Sequence, residues 1–209
     1  MNKKRSLRAV ILLPVAAGFA LFGAGVTLFS GSLVEQRVGK YIEEDLSQKT
    51  GAFVRSFELR GPELVALLGL FDGDAELASI MREKDTQRGV LFAAKAAVSC
   101  RTDFFNIIGA DGIAIARSSD PSANGDDLTG RPSIAKTIET LKPFSSVEMD
   151  GALGLCQIVA LPLLRDGALA GVIVAGYRLG SNEAMDRYKS LFGAEFSAFM
   201  YDNRIATTI

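Results

Sequence analysis

The sequence contains no histidine, no tryptophan and only two cysteines. Without histidine there is no Ser-His-Asp or Cys-His nucleophile system and no His-ligated zinc. Two cysteines in 209 residues do not make a disulfide scaffold, and the 21 glycines follow no collagen period. There is no excess of basic charge: 23 Lys and Arg face 24 Asp and Glu, so a nucleic-acid binder held by a broad cationic surface is not expected. The phosphate-cradling P-loop, the G-x-G-x-x-G turn and the Asp-x-Asp-x-Asp spacing of a calcium loop are all missing. Asp126 and Asp127 are adjacent in sequence, which is not the geometry of a catalytic carboxylate pair. The chain is therefore expected to be non-catalytic, with no cofactor and no metal.

Charge is also missing from one long stretch. Between Ala9 and Val34 no residue is ionisable, a run of 26, and Lys3, Lys4, Arg5 and Arg8 precede it. About 20 apolar residues span the hydrocarbon core, and a basic flank stays cytoplasmic. The reading is a cytoplasmic tip at 1–8 and a transmembrane helix at 9–32, with the rest outside the cytoplasm. The alternative is a cleaved signal peptide, whose apolar region is shorter, at 7–15 residues. Ala16, Ala20 and Ala24 form a small-residue row that would let two such helices pack closely. Setting the four basic residues aside leaves 19 basic against 24 acidic, a mildly acidic remainder. Cys100 and Cys156 would then meet an oxidising compartment; a disulfide and two buried thiols both remain open.

Beyond the apolar run, Val34, Val38, Ile42, Leu46, Phe53 and Phe57 fall at helical spacing among charged neighbours. They predict one long amphipathic helix ending near Arg60, where Gly61-Pro62 follows. Shorter helices are expected at about 63–71, 74–83 (with Asp74 as N-cap) and 86–99. The texture then turns to strands. Phe104–Ile108 and Ile113–Ser118 flank an Asp111-Gly112 turn. A polar loop runs from Ser119 to Gly130, and Pro132 opens a helix to about 141. Strands follow at 144–149, 155–164 and 168–179, then a helix at 182–192 and a hairpin about Asp202-Asn203. Each hairpin follows a helix, and Phe105/Asp111 and Phe196/Asp202 share one spacing, a degenerate repeat at an offset of 90–91 residues.

Several of these segments resemble the extracytoplasmic Cache sensor domains of bacterial methyl-accepting chemotaxis receptors and sensor kinases, in their double-Cache form. The resemblance rests on Gly109-Ala110-Asp111-Gly112 with Ile115-Ala116-Arg117, on Gly125-Asp126-Asp127 leading to Gly130-Arg131-Pro132, and on Leu161–Gly167 followed by Gly171–Tyr177. The tail from Leu191 to Thr208 looks like the opening of a second, membrane-proximal module. The likeness covers about half the chain in motifs and nearly all of it in layout.

The resemblance implies an α+β fold: an N-terminal transmembrane helix, a long amphipathic helix, then a PAS-like antiparallel sheet with helices. It divides the chain into 33–100 (long dimer and transmission helix plus short helices), 101–180 (a ligand-binding Cache module) and 181–209 (the start of a second module, incomplete). The family continues into the rest of that module, a second span and a signalling region, so the chain reads as a truncated receptor. The function implied is small-molecule sensing by a single-pass, N-in protein of the cytoplasmic membrane, dimeric through helix 33–60. The alternative is a membrane-anchored envelope protein used for protein contacts, or a receptor fragment without function.

In this family the ligand lies between the sheet and the covering loop and helix. Here the helix opened by Pro132 offers free N–H groups, which favour a carboxylate or phosphate. Arg131, before that terminus, is the first candidate for bidentate carboxylate capture, with Ser133 beside it. Arg117 is next; Tyr177 and Gln157 are candidates for the sheet side, and Asp126 or Asp127 for a ligand amine. Each has a plainer role: Arg131 an ion pair tying the loop to an Asp, Arg117 a solvated strand-end charge, Tyr177 a core-edge residue, Asp126-Asp127 a turn, Gln157 a sheet hydrogen bond. The ligand expected is a small organic carboxylate or amino acid.

Overall fold

The computed structural model describes the backbone of residues 7–200 and 202–209 and the side chains of 38–199 and 202–209. The tip at 1–8 and the apolar run at 9–32, with Ala16, Ala20 and Ala24, lie outside the residues whose side chains are described. Among the described residues, no helix is long and apolar enough to cross a membrane.

Two compact units emerge, Met1–Gly51 and Ala52–Ile209. Helix α1 (Leu7–Gly69) runs through both. In the first unit its apolar stripe is open to solvent, with Val38, Ile42 and Leu46 each at least half exposed. Lys40–Glu44 and Asp45–Lys49 pairs, one helical turn apart, flank that stripe.

α1 does not stop at Arg60. It continues through Gly61-Pro62 to Gly69, so the short helix expected at 63–71 is its last turns. Proline removes one helical hydrogen bond and costs about 3 kcal/mol in a helix interior. Leu64 and Leu68, one turn apart on the next stretch, are fully buried in the core. At about 1.5–3 kcal/mol per buried leucine, their packing offsets the proline. The sheet also helps: Gln157 Nε2 donates to the Phe57 carbonyl at 3.0 Å, on the turn before the proline.

The second unit is built on a five-stranded antiparallel sheet of order β2-β1-β5-β4-β3. The strands are β1 (Phe104–Gly109), β2 (Ala114–Arg117), β3 (Phe144–Asp150), β4 (Gly154–Arg165) and β5 (Ala168–Arg178). One face carries the end of α1, α2 (Ala75–Glu83) and α3 (Thr86–Ser99), around Leu64, Leu68, Ile80, Phe105, Ile107, Val159, Leu161 and Ile173. Asp74 and Asp85 cap α2 and α3 by accepting from Leu77 N and Arg88 N. Gly89 lets α3 close on the sheet: a Cβ there would sit 2.7 Å from the Ala116 Cβ.

The other face carries α4 (Pro132–Thr140) and the 118–131 loop, over Phe104, Ile108, Ala114, Cys156, Ile158, Ala160, Val172 and Val174. A third cluster joins α5 (Asn182–Phe192), the β6 (Ser197–Met200)–β7 (Asn203–Thr207) hairpin and Phe53 and Phe57 of α1. In it Phe53 meets Tyr188, Phe192 and Phe196 at 5.1–5.7 Å between ring centroids. The two cysteines are free, buried thiols, Cys100 in the core of the helix face and Cys156 in that of the loop face. Opposite faces of one sheet leave them no route to a disulfide.

Candidate functional site

β strands alternate their side chains between the two faces, so register assigns each candidate to a side. Asn106, Arg117, Cys156 and Arg178 share the loop face with Glu148 and Asp150. Asn106 pairs with Arg117 across β1–β2, and Cys156 with both Arg178 and Glu148 across β5–β4–β3. This face has an apolar floor with charged and amide groups at its two ends.

Arg131 stands at the N-cap of α4 and makes an ion pair with Asp150 at the end of β3. Asp150 also accepts from Ala152 N at 2.9 Å and Leu153 N at 3.0 Å. Burial opposes its ionisation, but these bonds and the Arg131 charge together hold its carboxyl below the usual carboxylate range. The first turn of α4 is filled in the same manner. Ser133 N and Ser133 Oγ donate to the two Glu148 oxygens at 2.7 and 3.1 Å, and Ser146 Oγ donates to one of them at 2.6 Å. Both positions expected to receive a ligand's carboxylate thus hold carboxylates of β3.

Arg117 pairs with Asp126 across the loop. Its side chain is 14 % exposed, so it is not a solvated strand-end charge. Asp127 accepts from Thr129 Oγ1 at 2.7 Å and Thr129 N at 2.8 Å, a turn, and the hydroxyl and then the backbone bond lower its carboxyl pKa. Burial, and then the charge of Asp150, push the Cys156 thiol up to about 12, which leaves it inert.

Gln157 and Tyr177, expected with Arg131, point to the opposite face. They are register partners on β4 and β5 and face α1. The Arg60 guanidinium lies over the Tyr177 ring at 5.4 Å and the Tyr188 ring at 5.3 Å, and donates to the Tyr188 hydroxyl at 3.0 Å. Tyr177 is therefore a packing residue between α1 and the sheet.

Asn106, Arg178, Glu148 and Asp150 were not among the expected site residues. Asn106 is 7 % exposed with its Oδ1 unpartnered, and the Nε atoms of Arg117 and Arg178 are buried and unpartnered as well. Such groups cost free energy when left unsatisfied, so each marks a position for a polar partner. Asn106 had a readable signal, a lone amide inside Phe104–Ile108. Glu148 alternates with Val147 and Met149, a sign that it takes the face opposite to theirs.

A five-stranded antiparallel sheet with a long helix on one face and a loop-and-helix cover on the other is the PAS-like architecture of a sensory module. The family model for the double sensory domain of two-component sensor kinases matches residues 40–209, and the chain belongs to that family: it is a Cache sensor domain. Its fold is shared by solved sensor domains, among them those of DctB and DcuS. The sensor domain of the V. cholerae histidine kinase DctB is 14% identical, with a TM-score of 0.62 over 83% of this chain and 68% of that one. The E. coli DcuS sensor domain is 15% identical, with a TM-score of 0.53 over 66% of this chain and 97% of that one. No curated protein matches the chain in sequence.

Proposed function

We propose that this chain is the extracytoplasmic sensing part of a membrane receptor, and that it binds a small organic carboxylate or amino acid on the loop face of the five-stranded sheet. The observation that carries this reading is the set of unpartnered buried groups on that face: the acceptor Asn106 Oδ1 and the donors Arg117 Nε and Arg178 Nε. A ligand with both an anionic and an N–H group matches donors and acceptor together. Arg131 and Ser133 take part by exchange: the ligand's carboxylate replaces Asp150 or Glu148, and the released loop and α4 report the change. Such a ligand shifts the domain only by its differential affinity for the two arrangements.

In this reading 9–32 anchors the chain with its N-terminus in the cytoplasm, 33–100 transmits, 101–180 binds, and 181–209 opens a second module. The stripe of Val38, Ile42 and Leu46, exposed on α1, pairs two copies. Val38→Asp is expected to convert a dimer to monomer in analytical ultracentrifugation; an unchanged sedimentation coefficient removes the pairing role.

The test of ligand binding is a thermal-shift screen of the chain against amino acids, organic acids and amines. A ligand at 100 times its Kd adds about 2.7 kcal/mol, a shift of about 5–11 °C for a domain of this size. A hit that Arg131→Ala weakens and Arg178→Leu abolishes supports the reading. A hit indifferent to both, or none among carboxylates and amino acids, refutes it.

A further inference from the structure

A separate cavity lies on the helix face, on the other side of β3 from Glu148. It has a volume of about 310 Å3 and is lined by Phe57, Glu58, Gly61 and Pro62 of α1, by residues 145–147 of β3 and by Gln157 of β4; the Ser146 hydroxyl among them is already given to Glu148. Small-molecule sites begin at about this volume.

Three features give it a chemical character. Gln157 is 5 % exposed and its Oε1 has no partner. The amide cannot be turned to hide that oxygen, because its Nε2 already donates to the Phe57 carbonyl. Second, Pro62 has no N–H to give to the Glu58 carbonyl, so the helix wall is short of a donor at this turn. Third, Glu58, Gly61 and Pro62 stand three and four residues apart and share one helix face, so the Glu58 carboxylate lies on the same wall. The Ser145 hydroxyl supplies a further acceptor opposite, only 3.0 Å from where a Gly61 Cβ would be. Acceptors therefore dominate, beside the apolar surfaces of Phe57, Pro62 and Val147.

We propose that this cavity is a second binding site, for a small primary ammonium ion with a short apolar tail. A primary ammonium has three N–H donors, which match Gln157 Oε1, Ser145 Oγ and the Glu58 carboxylate, and the tail covers Phe57, Pro62 and Val147. A quaternary ammonium has no donor for Gln157, and a neutral alcohol has no charge for Glu58. Glycine at 61 keeps the space open.

The experiment is isothermal titration of the full chain in lipid nanodiscs with n-butylammonium chloride, with the heat from empty discs subtracted. The expected result is saturable binding, at least tenfold weaker for n-butanol and for tetramethylammonium. Gly61→Val, which fills the cavity, is expected to abolish it. Glu58→Gln, at an exposed position that leaves folding intact, is expected to weaken it at least fivefold, and Arg178→Leu to leave it unchanged. No saturable heat, equal binding of butanol, or full binding by Glu58→Gln overturns the proposal. If Gly61→Val does not fold, Glu58→Gln and the two control ligands decide. Loss of binding in Arg178→Leu also overturns it, by moving the amine to the loop face.

Discussion

The two faces of the five-stranded sheet are built to different rules. On the helix face Leu64, Leu68, Ile80, Phe105, Ile107 and Ile173 form a dense apolar core. On the loop face a smaller apolar floor is flanked by Arg117, Asn106, Arg178, Glu148 and Asp150. Three of the four unpartnered buried polar atoms among the described residues belong to that second face. One face carries stability, while the other keeps polar groups whose bonds are only partly made, a costly arrangement unless something else completes them.

The largest expected effect tests the stable face. Leu68→Ala removes a fully buried side chain that holds α1 against the sheet past its proline. Loss of about 2–5 kcal/mol in urea unfolding is expected, with the ligand profile of the folded fraction unchanged. A loss below 1 kcal/mol would mean that α1 is not part of the core.

Next comes the ion pair that closes the loop face. Arg131 and Asp150 are 27% and 10% exposed, so Asp150→Asn is expected to cost about 1–3 kcal/mol at neutral pH, between the exposed-pair and buried-pair ranges. Because the native carboxyl titrates below its ordinary value near 3.8, its contribution is complete above that value and is lost as pH falls through the lower native one. Asp150→Asn should therefore flatten the acid limb of stability below about pH 4. Urea midpoints at pH 6 and pH 3 check this, and an unchanged acid limb would show that the pair has no role in holding the loop.

Much of this division was legible in the residues. Asp74 as a cap, Pro132 as a helix start and the Asp111-Gly112 turn are local chemistry, and each lies where it was expected. The passage of α1 through Pro62 was not, because it depends on Leu64 and Leu68 meeting a sheet formed about 40 residues later. Nor was the side that Gln157 and Tyr177 take. Both lie in nearly continuous apolar runs, 155–164 and 168–179, where the alternation that would reveal a face is missing. Arg131 was readable as a carboxylate binder and as a tie to an Asp. Nothing local says that Asp150, 19 residues on, supplies the tie, or that Glu148 takes the helix N-terminus.

Arg178→Leu is the smallest expected effect on the free chain and the sharpest test of the difference between the faces. The Arg178 backbone N–H donates to Asp103 at 2.8 Å, and leucine keeps that bond. The side chain's Nε is buried with no partner, so its removal forfeits no bond at that atom and relieves an unsatisfied donor. Stability without ligand should change by no more than about 0.5 kcal/mol, the range of substitutions that break nothing, while ligand-induced stabilisation disappears. If instead Arg178→Leu destabilises the free chain as Leu68→Ala does, the guanidinium is part of the scaffold, and the loop face is a second structural core whose polar groups satisfy one another.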